Sequence, residues 1–397
     1  MGRKDWQITN VGNLCSRIGD GLHGTPEYNK EGEIYFINGV NIKNGRIVVF
    51  EDTKKISIRT LEKHFIPLDE KTLLMSINGT LGNLAFYYGE KIMLGKSAAY
   101  LNFKTEINRF YYYYFQLSGV QEYFYQVATG STIKNLGLKS IQDFEVPCPE
   151  EKEWRPIAKV LSDLDAKIEL NKKINSELEA MAKLIYDFWF VQFDFPNEDG
   201  LPYKSSGGKM VWNEELKREV PEGWEVKELG KYANIKKGTL ITGKTSNSIG
   251  KIKVVSAGLD FSYYHDVSNY PENTISISAS GANAGYINFW REPIFACDCT
   301  TVRGSNDADT IHILGFLKMR QEFIYQQARG SAQPHVYPKD IEALLIPTPP
   351  FELITKFSNK VISGNKKISI NLKENQKLAE LRDWLLPMLM NGQVKFK

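Results

Sequence analysis

QEYFYQ at residues 121–126 and QEFIYQ at residues 321–326 are nearly the same stretch, and both occur in one chain of 397 residues. The agreement extends beyond them without a gap, at a constant offset of 200 residues, through three further pairs: Gly130-Ser131 and Gly330-Ser331, Ile141 and Ile341, and Pro147 and Pro347. A shared run of polar, glycine and proline residues in fixed register indicates an internal repeat. The sequence therefore predicts two structurally related halves.

Each half continues into a pattern typical of a long helix. Apolar residues and asparagines recur at steps of three and four residues, the spacing of a seam along which long helices pack. The first seam consists of Ile157, Leu161, Leu164, Ile168, Asn171, Asn175, Leu178, Met181 and Ile185. The second consists of Phe357, Val361, Gly364, Ile368, Asn371, Asn375, Leu378, Leu381 and Leu385. Asparagines at matched seam positions favour a polar pair that fixes the helix register, although two unrelated amphipathic helices would also fit.

A globular segment precedes each helix. Trp6 corresponds to Trp224, an offset of 218 rather than 200 residues, so the second segment is 18 residues shorter. Short β-rich runs (EIYFI and LAFYY, then TISIS and AGYINF) alternate with glycine turns. FYYYYF at 110–115 fits either a DNA-stacking platform or a buried helix face. The aliphatic residues Ile313 and Leu314 at the same place in the second half favour the buried face.

These patterns predict a mixed α+β fold. Two globular domains, related by an internal pseudo-two-fold repeat, are joined by two long antiparallel coiled-coil helices. Proline, glycine and serine clusters between the halves predict a mostly extended connector. The predicted segments are a first globular domain over 1–150, a first long helix over 151–192, the connector over 193–223, a second globular domain over 224–350 and a second long helix over 351–397.

The composition excludes several classes of function. Lys and Arg number 50 against 47 Asp and Glu, so the chain is no polybasic nucleic-acid coat, although local basic patches remain compatible with DNA binding. The four cysteines form neither a disulfide framework nor a zinc pattern, which predicts reduced thiols and no metal site. The N-terminus lacks a signal-peptide core, and no run of about 18 apolar residues predicts a membrane span. We expect a cytoplasmic protein.

GTLITGKT at residues 238–245 fits the phosphate-loop pattern G-x-x-x-x-G-K-[ST] and suggests an ATPase. A phosphate loop requires a strand before it and a helix after it, whereas the following SNSIGKIKVV lacks a helical period. The first half carries its own glycine loop, GDGLHGTPEY at 19–28, in the same place and without the lysine. The loop therefore belongs to the repeat, and Lys244 is a local feature. Because the chain also lacks H-E-x-x-H, G-x-S-x-G and N-P-P-[YF] strips, we predict no catalytic residues.

FDFP, GLPYKSSGGKMVW and REVPEGWE, between residues 193 and 225, resemble the central region of specificity (S) subunits of Type I restriction-modification systems. Three runs on the predicted helices resemble the same family: LDAKIELN (164–171), AKLIYDFWFVQFDF (182–195) and LRDWLLPMLMNGQV (381–394). Looser likenesses follow in the expected order: FINGVNI (36–42), NGTLGNLAFY (78–87), ATGSTI (128–133), SASGANAGYINF (278–289) and ARGSAQPHV (328–336). Gly364, where the first half has Leu164, departs from the repeat and predicts a looser or kinked second helix.

The resemblance implies a non-catalytic subunit that reads double-stranded DNA. Each target-recognition domain would read one half of an asymmetric bipartite site, and the helices would set the gap and dock two modification (methyltransferase) subunits. S-adenosylmethionine, ATP and magnesium would belong to those subunits and to two restriction subunits, and none to this chain. The helical seam alone, about 42 Å long, would separate two readers by about 12 base pairs and place them on one side of the duplex. A stand-alone DNA-binding regulator and a purely structural coiled coil are the alternatives.

Residues beside the glycine turns are predicted to contact DNA. Small residues let backbone N–H groups approach phosphates, hydroxyls donate to them, and Asn, Gln and Arg suit base edges. In the first domain the candidates are Asn78, Thr80, Lys96, Gly130, Ser131, Thr132 and Lys134. In the second they are Ser280, Asn283, Arg291, Arg329, Gly330, Ser331, Gln333 and His335. Each is also compatible with a turn or cap.

Three aromatic residues at the ends of the seam helices are candidates for binding the modification subunits, since aromatic side chains dominate such contacts. They are Trp189, Phe190 and Trp384. The alternative is that these side chains seal the helices against a neighbouring globular domain.

Overall fold

The computed structural model describes residues 6–241, 250–328 and 334–394. The chain divides into two compact units, here called unit 1 and unit 2. Unit 1 combines Met1–Glu169 with Asn375–Lys397, and unit 2 is Leu170–Glu374. Within the described ranges, no helix combines the length and apolarity needed to cross a bilayer.

Among its described residues, the globular part of unit 1 contains eleven strands. They are β1 (Gln7–Asn10), β2 (Cys15–Asp20), β3 (Ile34–Ile37), β4 (Ile42–Lys43), β5 (Arg46–Ile47), β6 (Lys55–Ile56), β7 (Thr72–Ser76), β8 (Leu84–Phe86), β9 (Ile92–Leu94), β10 (Ala98–Phe103) and β11 (Glu145–Cys148). A four-stranded antiparallel sheet has the order β2-β10-β7-β8, and a three-stranded sheet has the order β6-β3-β9 with β3 parallel to β9. The first and last strands, β1 and β11, pair antiparallel and close the domain.

Helices cover the sheets of unit 1. They are α1 (Val11–Leu14), α2 (Ile58–Lys63), α3 (Asn108–Tyr114), α4 (Ser118–Val127) and α5 (Leu138–Gln142). Every residue of FYYYYF is buried in the main core, and the Tyr111 hydroxyl donates to the Pro147 carbonyl at 2.7 Å. The prediction of a buried helix face is therefore confirmed, because a stacking platform would leave these rings exposed.

Unit 2 repeats this topology. Its strands are β12 (Met210–Asn213), β13 (Arg218–Pro221), β14 (Glu225–Glu228), β15 (Asn234–Lys237), β16 (Ile252–Val255), β17 (Tyr263–His265), β18 (Thr274–Ser278), β19 (Ile287–Trp290), β20 (Ile294–Ala296), β21 (Cys299–Arg303) and β22 (Leu345–Thr348). The orders β15-β21-β18-β19 and β17-β16-β20 match the two main sheets of unit 1, and the β14–β22 pair matches β1–β11. The β4–β5 hairpin has no counterpart among the described residues of unit 2, in keeping with its shorter sequence.

Two long helices cross the boundary between the units. The first, α6 (Glu151–Tyr186), continues as a π-helical turn over Asp187–Val191. Shorter helices of unit 2 follow: α7 (Leu229–Tyr232), α8 (Asp307–Met319), α9 (Gln321–Gln327) and α10 (Pro338–Glu342).

The last helix, α11 (Phe351–Met390), runs without a break through Gly364, so the predicted loosening does not interrupt it. A Cβ on Gly364 would lie 3.5 Å from Leu178, an ordinary contact distance.

The long helices pair antiparallel inside each unit. In unit 2, the buried Asn371 side chain donates to Asn175 at 2.8 Å, and Asn171 donates to Glu374 at 2.8 Å. This pairing confirms that seam asparagines form a polar pair between the helices. In unit 1, Arg382 donates to Asp165 at 2.7 Å, and Leu389 lies in the core of this unit.

Two sequence expectations about this region were wrong. Met181 and Leu381 were assigned to the helix seam, but both side chains are exposed, whereas the next seam residues, Ile185 and Leu385, pack against the cores of their units. The connector was expected to be mostly extended, but it contains the antiparallel β12–β13 hairpin. Phe193 and Phe195 hold the connector against unit 2, and Phe195 stacks on Trp224 with ring centroids 5.5 Å apart. Burial of these rings outweighs the local preference of glycine and proline for open chain.

The described elements on either side of the GTLITGKT stretch are both strands, β15 and β16. Gly238 has the same structural role as Gly21 in unit 1. A Cβ would approach a backbone oxygen to 2.1 Å at either glycine, Cys297 O for Gly238 and Leu94 O for Gly21. The first glycine of the motif is thus required for close backbone packing, in agreement with a loop that belongs to the repeat. Lys244 lies outside the described residues.

Candidate nucleic-acid interface

In unit 1, two loops are joined by backbone hydrogen bonds. The loop between β7 and β8 contains Asn78 and Thr80, and the loop between α4 and α5 contains Gly130 to Lys134. The Gly79 amide donates to Lys134 O at 3.1 Å, and the Leu136 amide donates to Ile77 O at 2.8 Å. The two loops therefore form one structural element, here called reading loop pair 1.

Two further segments adjoin this pair. The Ile77 amide donates to Ser97 O at 3.0 Å, which places the β9–β10 turn and Lys96 beside it. The Ser97 hydroxyl bonds to Asn38 Oδ1 at 3.0 Å and accepts from the Gly39 amide at 2.9 Å, so FINGVNI also reaches the cluster. The structure brings the candidates Asn78, Thr80, Lys96 and Lys134 together, and their contact with DNA stays a prediction. Sequence reasoning omitted Asn38 and Ser97, which lie in the same cluster. Asn38 lies within FINGVNI, a run that resembles the family, and this resemblance could have identified it.

Unit 2 contains the same construction, here called reading loop pair 2. The Gly281 amide donates to Pro334 O at 3.0 Å, and the Val336 amide donates to Ala279 O at 3.0 Å. Ser280 pairs with His335 as Asn78 pairs with Asn135. The Ser280 hydroxyl bonds to Asp298 Oδ2 at 2.8 Å, on the β20–β21 turn.

The two loop pairs share a backbone but differ in chemistry. Matched hydrogen bonds align Asn78 with Ser280 and Asn135 with His335. In the adjoining turn, Ala98 and Cys299 occupy equivalent places opposite Ser76 and Ser278, which aligns Ser97 with Asp298. Lys96 has no counterpart in the shorter turn of unit 2. Pair 1 therefore presents two amides, a hydroxyl and a lysine where pair 2 presents a hydroxyl, an imidazole and a carboxylate, so the two units cannot offer the same hydrogen-bonding groups to a ligand.

Glycine is required at the tip of the second loop of pair 1. Gly130 has a φ of +96°, and a Cβ there would lie 2.3 Å from Ile133 O. The turn exposes the backbone and hydroxyl groups of Ser131 and Thr132, which can donate to phosphate oxygens.

The candidates in unit 1 lie on this surface. Thr80, Lys96, Gly130, Ser131 and Thr132 are exposed, and Asn78 is half-buried. Half-buried Lys134 lies over the ring of Tyr125, with its ammonium 5.2 Å from the ring centroid. The structure thus gathers all seven unit 1 candidates at one end of the domain.

The candidates in unit 2 are only partly gathered. Ser280, Asn283 and His335 lie in or beside pair 2, and His335 stacks on Tyr337 with centroids 6.0 Å apart. Four candidates lie outside the described residues: Arg329, Gly330, Ser331 and Gln333.

Arg291 does not belong to the interface. Its side chain is only 12% exposed and donates to Glu179 on α6 at 3.1 Å and to Asn365 on α11 at 3.2 Å. Burial lowers the pKa of Arg291, and the Glu179 carboxylate partly opposes this shift. Arg291 therefore fastens the globular part of unit 2 to its helices, and the prediction that it reads DNA does not agree with this placement. A sequence cannot show which long side chain folds back onto a helix.

In unit 1, different residues make the polar contacts that hold the globular part on its helices. The Tyr113 hydroxyl donates to Asp165 Oδ2 at 2.7 Å, and Arg382 donates to Asp165 Oδ1 at 2.7 Å. Burial and the Asp165 charge raise the pKa of Tyr113, so the hydroxyl stays protonated as a donor. These contacts hold each globular part on its own helix pair.

The partner-binding candidates separate into two groups. Trp189 and Phe190 are 5% and 4% exposed and lie in the core of unit 2, which agrees with the sealing alternative. Trp384 is 57% exposed and remains a surface residue. Among the residues that the structure describes, no group of His, Cys, Asp and Glu could hold a metal ion.

Comparison with known proteins identifies similar sequences and folds. The profile of the family described as "Type I restriction modification DNA specificity domain" matches residues 3–180 and 221–381. The chain is 26% identical over 420 residues to the Type I restriction enzyme MjaIX specificity subunit of Methanocaldococcus jannaschii, a match covering 99% of this chain and 94% of that protein. It is 24% identical over 350 residues to the HindI specificity subunit of Haemophilus influenzae, covering 69% and 74%. The fold is similar to the crystal structure of a Type I restriction-modification S subunit from M. genitalium, with a TM-score of 0.63 at 20% identity, covering 97% and 96%.

Proposed function

Because the chain belongs to the family of Type I restriction-modification DNA specificity domains, we propose that it reads an asymmetric two-part DNA site, one part with each unit. The main support for the proposal is that reading loop pairs 1 and 2 share a backbone hydrogen-bonding pattern and differ in their side chains. A common frame with different hydrogen-bonding groups is what two readers of different base sequences require. The family match does not favour a stand-alone regulator.

Backbone contacts and base contacts would come from different parts of each loop pair. In unit 1, the exposed Gly130 turn supplies amide and hydroxyl donors for phosphates, and Lys96 supplies a positive charge. Asn78 presents an amide, which suits the edge of adenine. In unit 2, Ser280 and Asp298 present a hydroxyl and a carboxylate, and a carboxylate accepts from the amino group of cytosine.

The long helices would carry the modification subunits and set the gap between the half-sites. Leu184 on α6 and Trp384 on α11 are exposed by 67% and 57% and lie 200 residues apart, at matching positions of the repeat. The pairs Met181–Leu381 and Leu170–Ile370 are also exposed at that offset. Exposed apolar side chains duplicated in this way would provide two equivalent docking faces, hence two modification subunits.

The chemistry of the system would lie on partner subunits. S-adenosylmethionine would be bound by the modification subunits, and ATP and magnesium by restriction subunits. This chain would contribute recognition alone, in the cytoplasm, without a cofactor of its own.

A methylation map tests the proposal. The chain is co-expressed with the modification subunit encoded beside it, in a host without other DNA methylation, and the modified bases are sequenced. We expect one asymmetric motif in two parts with a fixed gap. No modification despite a stable complex of the two proteins would contradict the proposal.

Substitutions in the loop pairs assign the halves. Asn78→Ala with Thr80→Ala should alter methylation at one half of the motif, and Ser280→Ala with Asp298→Ala at the other. Ser162→Ala, on the exposed face of α6, is the matched control and should leave the motif unchanged, because this hydroxyl bonds only to the Lys159 carbonyl of its own helix. Changes in the same half from both loop pairs would contradict the assignment of one half to each unit.

A further inference from the structure

A glutamine on α4 holds one end of reading loop pair 1. The side-chain amide of Gln121 donates to Gly82 O at 3.2 Å and to Phe115 O at 2.6 Å. Gly82 is the residue at which the loop returns toward β8, and it adopts a φ of +75°. A Cβ on Gly82 would lie 2.3 Å from Gln121 Oε1, so the glutamine occupies the space that any other residue would need.

The corresponding glutamine on α9 does the same in unit 2. The amide of Gln321 donates to Gly285 O at 2.8 Å, and its oxygen accepts from the Ile287 amide at 3.1 Å. Gly285 also has a positive φ, +91°, and ends the loop before β19. Gln121 and Gln321 are the first residues of the repeated QEYFYQ and QEFIYQ stretches, 200 residues apart. The repetition at this position was visible in the sequence, but its partner glycine was not.

The two glutamines add a side-chain contact to the far end of each loop. Backbone hydrogen bonds also hold this end, from the Gly82 amide to Ser76 O at 2.9 Å and from the Gly285 amide to Ser278 O at 2.8 Å. The near end continues from a central strand, β7 or β18, and is held by the sheet. The middle is held to the neighbouring loop by the backbone bonds of the reading loop pair. Without the glutamine amide, the Gly82 or Gly285 carbonyl loses its side-chain donor, and the return of the loop is held by these backbone hydrogen bonds alone.

We propose that Gln121 and Gln321 are positioning residues for sequence reading, each sharpening base discrimination at the half-site of its own unit. The inference rests on the proposed function and adds to it the residues that keep each reader in register. Base recognition depends on side chains held within about 0.5 Å of the productive geometry. A loop that has lost this side-chain contact therefore tolerates wrong bases more readily than a loop that keeps it. Neither glutamine needs to touch DNA to have this effect.

The test uses the complex of the full chain with its modification subunit. Methylation rates are measured on the cognate duplex and on duplexes with single base changes in either half-site. The variants are Gln121→Leu and Gln121→Glu, with Gln321→Leu and Gln321→Glu. Glutamate has nearly the same shape but no amide donor, so it distinguishes the hydrogen bond from side-chain packing. Gln116→Leu is the matched control, because the exposed Gln116 donates to Tyr112 O, one helical turn earlier, and not to a reading loop.

We expect each variant to lose discrimination about 3- to 10-fold at one half-site only, the effect of about one hydrogen bond. Gln121 variants should affect the half-site of unit 1 and Gln321 variants that of unit 2, with glutamate and leucine alike. Gln116→Leu should match the wild type. Equal loss at both half-sites, or a lower rate with unchanged discrimination, would overturn the assignment and indicate a purely structural role.

The failures of the two proposals are distinguishable. A wild-type complex that methylates all duplexes equally overturns the proposed function and this inference together. A discriminating wild type whose glutamine variants discriminate equally well overturns this inference alone. The thermal unfolding temperature of each variant identifies any that fold incompletely, and for such a variant discrimination is compared at a temperature where it remains folded.

Discussion

His312 should make unit 2 sensitive to acid. The ring is 0% exposed and lies among Tyr186, Phe190 and Tyr232, with centroids 5.7, 4.8 and 6.1 Å away. Neither ring nitrogen has a hydrogen-bond partner among the described residues. Burial lowers the pKa of His312 from 6.5 to about 3, because the charged ring would have no solvation in this core.

The sign and size follow from proton linkage. The folded pKa lies below the unfolded one, so between about pH 6.5 and pH 3 the unfolded chain binds more protons. Stability contributed by the neutral ring is therefore complete above the unfolded pKa and falls as the pH drops below it. Each unit of pH below 6.5 removes about 1.4 kcal/mol, so moving from pH 7.5 to pH 5 should cost about 2 kcal/mol.

The perturbation is His312→Phe, which keeps an aromatic ring and removes the titratable group. The assay is hydrogen exchange of peptides from α8, followed with urea at pH 7.5 and pH 5, because a chain of two units need not unfold in one step. We expect the wild type to lose about 2 kcal/mol more than the variant between the two pH values. His23→Asn, whose parent side chain is 70% exposed, is the control and should keep the wild-type dependence. An identical pH dependence in wild type and His312→Phe would refute the reasoning.

Three further predictions concern the helices. Asn175→Leu alone should lower the free energy of unfolding by about 1–3 kcal/mol, because it leaves the buried Asn371 amide without its acceptor. Leucine at both positions should lower it by less. Thermal unfolding of the single and double variants measures the difference. Arg291→Met should lower the stability of unit 2 by about 1 kcal/mol while leaving the methylation motif intact, and an altered motif would restore Arg291 as a DNA reader. Trp384→Ala should weaken co-purification of the modification subunit at an unchanged melting temperature, because this side chain is exposed. Trp189→Ala should lower the free energy of unfolding by about 3–5 kcal/mol, because this side chain is buried. Equal subunit binding by Trp384→Ala and wild type would exclude this docking face.

The parts of the fold that the sequence predicted are those with regular periodicity. The repeat, the seam asparagines and the buried aromatic helix all follow from spacing, because spacing determines which residues share a face. The structure gathers the unit 1 candidates beside glycine turns at one end of the domain, since turns between adjacent strands gather at one end of a sheet, and their contact with DNA stays a prediction. Close backbone packing requires glycine at the equivalent position of each unit, Gly21 and Gly238. A match to the phosphate-loop pattern can therefore arise from strand packing alone.

The side-chain positions that could not be predicted depend on which distant parts of the chain pack against each residue. Trp189 and Trp384 were assigned together as partner-binding residues, yet one is in a core and the other on the surface. In the register of the repeat, Trp189 corresponds to the buried Leu389 and Trp384 to the exposed Leu184. Phe357 packs against Trp189, with ring centroids 6.1 Å apart. Arg291 was assigned to DNA on its chemistry, but Glu179 and Asn365 lie within its reach in the folded unit. Such long-range partners leave no trace in local sequence.

The different continuity of the two units has a consequence for synthesis on the ribosome. Unit 2 is a single uninterrupted stretch, Leu170–Glu374, whereas unit 1 needs Asn375–Lys397 to complete it. Leu389 and Met390, near the end of the chain, fill the same core as Trp154 and Leu161. Met1–Glu169 is thus synthesised before the whole of unit 2, and its core contacts with Leu389 and Met390 form only after unit 2 has been made. Until then the apolar face of α6 that these residues contact is open to other partners, including other nascent chains.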